Sequence, residues 1–327
     1  MEPVQFGKTN LQVTRIGLGL AALGRPGYIN LGHYDDLQGN YDVAAMEEHT
    51  HSILELAYQK GIRYFDAARS YGRAEQFLTG WIAGKQNLVI GSKWGYTYTA
   101  DWKVDVAQHE IKEHSTDVLD RQWGESLETL GRQPDIYHIH SASLESGVLQ
   151  NMQVIDRLWA LKDQGVIIGL SLSGIAQSET LEHSMQIRSG RSYLFQSVQV
   201  TWNLLETSTT GALLKAHRAG YGIIVKEALA NGMLTERNKS VDFYEKLEML
   251  KTMAKKHHTG VDAIAIAYIL HQPWATVALS GAVSPEHLLS NLQSIDIRLD
   301  TSDIRLLNQF TEKPDLYWKT RASLVWN

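Results

Sequence analysis

Eight short, apolar, β-rich runs recur along the chain, each followed by a segment whose apolar residues return at helical spacing. The runs are Ile16–Leu20, Ile62–Asp66, Leu88–Lys93, Asp135–His140, Val166–Ser171, Leu194–Val200, Gly222–Lys226 and Thr276–Ser280. Most are continuous rather than alternating, as expected of parallel strands buried on both faces. Between them, Val43, Met46, Thr50, Ile53 and Ala57 mark one helical stripe, and Val148, Met152, Ile155 and Trp159 a second. Leu119, Trp123, Leu127 and Leu130 mark a third, entered through Ser115-Thr116-Asp117 as capping candidates and stopped by Gly131. Further helices are expected over Ala74–Gly84, Gln177–Arg188, Thr209–Ala219, Phe243–Lys256 and Val261–His271. Eight strand–helix units suit a closed (β/α)8 barrel. The expected fold is therefore α/β: a single barrel domain over 1–327, opened by a β-hairpin (1–15) and closed by a C-terminal tail (314–327) over the barrel mouth. The least patterned stretch, Arg25–Tyr41, reads as a long surface loop.

Composition narrows the functional classes. With 327 residues, the chain is long enough to bury a large core. Its net charge of −5 lacks the footprint of a general nucleic-acid binder. Zero cysteine excludes disulfides, thiolate metal sites and a cysteine nucleophile. No stretch has the length and apolarity of a membrane span or signal peptide, so a cytoplasmic location is expected and no membrane partner. The histidine pairs His49/His51 and His257/His258 lack supporting carboxylates, and no metal is expected. Gly17-Leu18-Gly19-Leu20-Ala21-Ala22 imitates a dinucleotide fingerprint, but it runs into a loop rather than a helix.

In a barrel of this kind, chemistry belongs at the C-terminal ends of the strands. Asp66, Lys93 and His140 end the second, third and fourth runs, and Tyr71 lies in the loop after Asp66. A lysine beside a tyrosine favours the tyrosinate, lowering a phenol pKa from about 10, and an aspartate holds the ammonium in place. Histidine can aim a substrate oxygen at the tyrosine or relay a proton. The set suits proton transfer, with Tyr71 as general acid and base.

The segment Gly61-Ile62-Arg63-Tyr64-Phe65-Asp66-Ala67-Ala68-Arg69-Ser70-Tyr71-Gly72, with Glu75 following, resembles the aldo-keto reductase signature. Gly91-Ser92-Lys93-Trp94-Gly95 and Pro134-Asp135-Ile136-Tyr137-His138-Ile139-His140 resemble two further family segments in the same order. The resemblance runs from the Phe6-Gly7-Lys8-Thr9 hairpin through Gly281–Asn291. It implies the tetrad Asp66, Tyr71, Lys93 and His140. It also implies a nicotinamide cofactor, NADP or NAD, touching Ser171, Gln199, Lys226, Gly281, Ser284, His287 and Asn291.

Three positions depart from the family pattern. Leu172 follows Ser171 where asparagine is usual, and Lys226 stands where an aromatic ring usually stacks on the nicotinamide. Gly281 and His287 occupy the stretch that often supplies cations to the 2′-phosphate of NADP, which weakens the expected NADP preference. The loop holding Trp94, Tyr96, Tyr98 and Trp102 and the tail holding Tyr317, Trp318 and Trp326 are aromatic. Trp94, Tyr317 and Trp318 are the substrate-wall candidates, the other reading being that these rings only pack the tail against the barrel.

The function implied is interconversion of an aldehyde or ketone, a sugar among the options, with its alcohol. A cofactor-binding regulator with little turnover is the alternative, and Schiff-base lyase chemistry at Lys93 or Lys226 a third. The oligomeric state is left open.

Overall fold

All eight expected strands are present, and they close on themselves. The computed structural model describes all 327 residues. In chain order the barrel strands are β1 (Ile16–Gly19), β2 (Tyr64–Asp66), β3 (Val89–Trp94) and β4 (Ile136–Ile139), then β5 (Ile167–Ser171), β6 (Ser197–Thr201), β7 (Gly222–Lys226) and β8 (Val277–Ser280). Each pairs in parallel with the next, and β8 pairs with β1 through Ala278 opposite Ile16. Their side chains are almost uniformly buried, which accounts for the unbroken apolar runs in the sequence.

The opening hairpin pairs Pro3–Gln5 with Gln12–Thr14 and plugs the lower end of the barrel. Phe6 and Val13 pack there against Tyr64, Ile136, Ile167, Ile224 and Val277, at or near the beginnings of their strands. The opposite end, where the strands finish, is left for the loops.

Helical boundaries follow local chemistry. Helix Thr116–Leu130 starts where Ser115 Oγ accepts the Val118 N–H at 3.3 Å, and it stops at Gly131, whose φ of 64° is left-handed. Met46, Thr50, Ile53 and Ala57 face inward from helix Val43–Gln59 as their spacing predicts. The stripe through Val148, Met152, Ile155 and Trp159 does not hold. Asn151 caps the helix Met152–Asp163, so Val148 lies in the preceding turn and Met152 projects into solvent. Val154, Ile155, Leu158 and Leu161 form the buried face instead.

The helix expected to reach Arg188 ends at Ser184. A two-residue hairpin, Arg188–Ser189 against Ser192–Tyr193, then turns at Gly190, whose φ is 57°. The stretch Arg25–Tyr41 is irregular apart from one helical turn at His33–Asp36. The aromatic loop after β3 forms a further hairpin, Tyr96–Tyr98 against Glu110–Lys112.

The tail carries a helix, Pro314–Ala322, and then an extended end that ties back to the mouth. Asn327 and Tyr28 exchange two backbone hydrogen bonds of 3.1 Å. No helix is long and apolar enough to cross a membrane.

Candidate active site

β2 and β3 set two charges side by side inside the upper barrel. Asp66 ends β2, Lys93 lies near the end of β3, and Nζ donates to Asp66 Oδ1 and, at 2.9 Å, to the Ala67 carbonyl. Lys93 is wholly buried, so an unpaired ammonium would be costly there. Burial draws its pKa down while Asp66 opposes that pull. The second Asp66 oxygen accepts from Tyr64 Oη at 2.9 Å and Gln199 Nε2 at 2.8 Å. Three side-chain donors from three strands therefore fix one carboxylate. Tyr64 fits only because its neighbours are glycines. A Cβ on Gly91 would stand 2.5 Å from the Tyr64 hydroxyl, and one on Gly17 2.6 Å from its ring.

The loop after β2 is tied to β3 by Ala67 N–H to Gly91 O and Arg69 N–H to Lys93 O. Glu75, buried below it, accepts from Ser92, Ser126 and Arg69. These bonds hold Tyr71 over the ion pair, with Lys93 Nζ 4.7 Å from its ring centroid.

The Tyr71 phenol differs from the sequence expectation. Burial raises its pKa well above the ordinary value, the Asp66 charge adds to this, and Arg25 only partly opposes it. The resting hydroxyl is protonated, the form a reductive proton donor needs. His140 sits beside it, ring centroids 5.5 Å apart, with Nδ1 3.4 Å from Ser70 Oγ. Burial, then the cations Lys93, Lys226 and Arg25, hold this imidazole neutral.

From this cluster a cleft of about 500 Å³ runs across the mouth, lined by Asp66, Tyr71, Gln199 and Lys226 at one end and Gly281, His287 and Asn291 at the other. Gln199 Oε1 and Asn291 Oδ1 are buried without a partner. Each is an acceptor awaiting a donor, one at either end of an elongated slot, and Gly281 leaves open space around its Cα. An extended molecule with an amide or amino donor at each end fits these features, as a nicotinamide dinucleotide does. Ser171 Oγ is engaged by the Ser141 N–H at 2.8 Å. Ser284 caps the helix Pro285–Leu292. Asn291 Nδ2 donates to Ser280 Oγ at 2.8 Å. His287 reaches Arg237 at 3.4 Å, and Arg237 also grips Asp36.

The three substrate-wall candidates lie elsewhere. Trp94 is wholly buried against His114. Tyr317 receives a hydrogen bond from Asn203 at 3.0 Å, and Trp318 packs beside it in the core. Three other rings stand close to the cluster or to Arg25 beside it: Tyr28, Tyr96 and Trp326. Tyr96 is 4.9 Å from His140, and Arg25 sits between Tyr28, Tyr71 and Trp326. Nothing local in Arg25–Tyr28 marked those two residues. Only the fold brings the first loop and the tail together.

A family model, the aldo/keto reductase family, matches residues 15–312. The chain belongs to the aldo-keto reductase family. An aldo-keto reductase relative from Glycine max is 22% identical over 93% of this chain and 87% of its own. A relative from Escherichia coli, named an NADH-specific methylglyoxal reductase, is 23% identical over 95% of this chain and 99% of its own. The holo form of an aldo-keto reductase from Bacillus halodurans superposes with a TM-score of 0.74 at 18% identity, covering 95% of this chain and 97% of that one. Membership makes this aldo-keto reductase a nicotinamide-dependent oxidoreductase acting between carbonyl and alcohol. The geometry also speaks against Schiff-base chemistry at Lys93, whose amine is committed to Asp66 and Ala67.

Where the tail meets the cleft, Glu227 receives Arg321 Nη2 at 2.7 Å and Nε at 3.2 Å, with Lys226 Nζ 3.5 Å away. Burial alone would raise the Glu227 pKa, but Lys226 and Arg321 outweigh it and hold the carboxyl down to about 2. A depressed carboxyl stabilises the fold above its unfolded pKa, about 4.3. That contribution is lost as pH falls through the folded value. Tm is therefore expected to drop between about pH 5 and pH 2, with a shallower slope in Glu227→Gln. Equal slopes in the two proteins would remove Glu227 from the acid response.

Proposed function

We propose that this aldo-keto reductase reduces an aldehyde or ketone to its alcohol, with Tyr71 donating the proton and NADH the preferred cofactor. The observation that carries the reading is a protonated, buried Tyr71 beside the Lys93–Asp66 pair and a neutral His140, with Tyr71 and Asp66 lining the cleft. When bound, the cofactor supplies a hydride to the carbonyl carbon. The chain does the rest. With Nδ1 directed to Ser70, His140 offers its other ring nitrogen to the carbonyl oxygen. Tyr71 then passes its proton to that oxygen as negative charge builds there. The phenolate left behind is stabilised by the Lys93 ammonium, and Asp66 keeps that ammonium in place. Gln199 Oε1 would accept from the carboxamide and Asn291 Oδ1 from the adenine.

The NADH preference rests on the far end of the cleft. Asp36, Asp262 and Glu286 line it together with Arg237, and Arg237 is bonded to Asp36. A 2′-phosphate, nearly dianionic at neutral pH, would meet carboxylates and a cation already paired. The E. coli relative's name, NADH-specific methylglyoxal reductase, points the same way. Fluorescence titration with NADH and NADPH tests this, alongside a screen of small carbonyl compounds. Tighter NADH binding is expected, and a much tighter NADPH complex would overturn the preference.

A further inference from the structure

We propose that the Lys226 ammonium biases the cleft against a cationic nicotinamide ring, so that the chain binds the reduced cofactor more tightly than the oxidised one. This inference rests on the nicotinamide reading above and goes beyond it, because it assigns Lys226 a discrimination between the two redox forms of the cofactor.

Lys226 ends β7 opposite Thr201 of β6 and lines the cleft next to Gln199, Asp66 and Tyr71. Its Nζ donates to two neutral hydroxyls, Thr201 Oγ1 at 2.7 Å and Ser173 Oγ at 3.0 Å, and at 3.5 Å to Glu227 Oε1. The nearest carboxylate, Glu227, gives both oxygens to Arg321 and stands 3.5 Å from Nζ. Lys226, Glu227 and Arg321 thus hold two cations and one anion.

The other charges at this end cancel in pairs, Lys93 with Asp66 and Arg25 with Glu110. His140 is neutral. Lys226 is the residual positive charge where the cleft meets the proton donor.

Chemistry fixes which part of the cofactor this charge meets. The hydride and the proton go to the two atoms of one C=O bond, so the transferring ring must lie close to the Tyr71 hydroxyl. Gln199 Oε1, the buried acceptor without a partner, is at the same end. The oxidised ring carries a positive charge and the reduced ring none, while the rest of the molecule is unchanged. A fixed cation in a site of low water content separates the two forms by a Coulomb term that falls on only one of them. Reduction of a carbonyl converts NADH to NAD+, so the same charge favours release of the spent cofactor and weakens the NAD+ binding that alcohol oxidation would begin with.

Burial draws the Lys226 pKa down to about 8, Glu227 opposes this, and Arg321 and Lys93 add to it. The discrimination therefore belongs to neutral pH and fades in alkali. The groups facing Lys226 are Glu227, Arg321, Lys93 and His140, with the hydroxyls of Ser173 and Thr201. Glu227 and Arg321 keep their charges through mild alkali and His140 stays neutral, while burial lowers the Lys93 pKa as well, so the Lys226→Arg profile is what separates Lys226 from Lys93.

The test is equilibrium binding of NADH and NAD+ separately, by protein fluorescence or calorimetry, from about pH 6.5 to pH 9.5. In the native chain the Kd ratio, NAD+ over NADH, is expected to fall by about tenfold or more across that range. In Lys226→Met the ratio should be low throughout and flat with pH. In Lys226→Arg it should stay high to the alkaline limit, because guanidinium does not titrate there. A ratio unchanged in Lys226→Met, or tighter native binding of NAD+ than NADH at pH 7, overturns the proposal. If Lys226→Met does not fold, the Lys226→Arg profile still decides, since an alkaline decline persisting there assigns the effect to another group. Failure of the native chain to bind either form is a different result and removes the nicotinamide reading itself.

Discussion

Tyr71→Phe is expected to cut carbonyl reduction by about 10²–10⁴-fold while leaving cofactor binding essentially unchanged, the range a positioned general acid contributes. The substitution removes one hydroxyl and keeps the ring that Lys93, Arg25 and His140 pack around. That hydroxyl is buried and protonated, and Lys93 Nζ, 4.7 Å from the Tyr71 ring centroid, is placed to stabilise its anion. His140 is a poor substitute, since burial and three nearby cations keep a proton off it. The loss should fall on kcat rather than on the Kd for NADH, as an interaction made only in the transition state requires. Steady-state rates and cofactor titration on the same preparation check both halves. Reduction at the native rate in Tyr71→Phe would move the acid role to another group.

Lys93→Met is expected to cost folding stability of about 3–5 kcal/mol, a large share of what most domains possess. It strips the ammonium from Asp66, which is almost wholly buried, and leaves the carboxylate with only Tyr64 and Gln199. The double substitution Lys93→Met with Asp66→Asn removes the stranded charge and should recover much of the loss. Urea unfolding reads this as a lower midpoint at unchanged slope in the single variant, with partial return in the double. A single variant as stable as the native chain would mean that water or other groups already satisfy Asp66.

The two experiments separate roles that the sequence places side by side. Asp66, Tyr71, Lys93 and His140 were visible because each falls at or just past the end of a strand, and strand ends can be read from apolar runs. The cleft's far acceptor, Asn291, was visible only through the family resemblance. The substrate-wall candidates are a different case. Trp94, Tyr317 and Trp318 are large aromatics in suggestive segments, yet each has its ring in the core. Aromatic residues serve cores and pockets equally well, and a pattern cannot tell which way a ring points. The helix Met152–Asp163 failed for a related reason. Its apolar spacing was compatible with two registers, and the Asn151 cap chose the other one.

The order of residues alone carries the periodic part of this aldo-keto reductase: eight parallel strands, the helices between them, and the polar residues that punctuate the strand ends. Burial on both faces forces a strand to be continuously apolar, and this information is local. Contacts between residues far apart along the chain come into being only when the barrel closes. Gln199 reaches Asp66 across 133 positions, Glu227 meets Arg321 across 94, and Arg237 meets Asp36 across 201. Charges and hydroxyls carry no period, so nothing in their spacing announces a partner. Closing the barrel brings their strand ends and loops within hydrogen-bonding distance, and there the paired charges cancel and Lys226 is left as the excess.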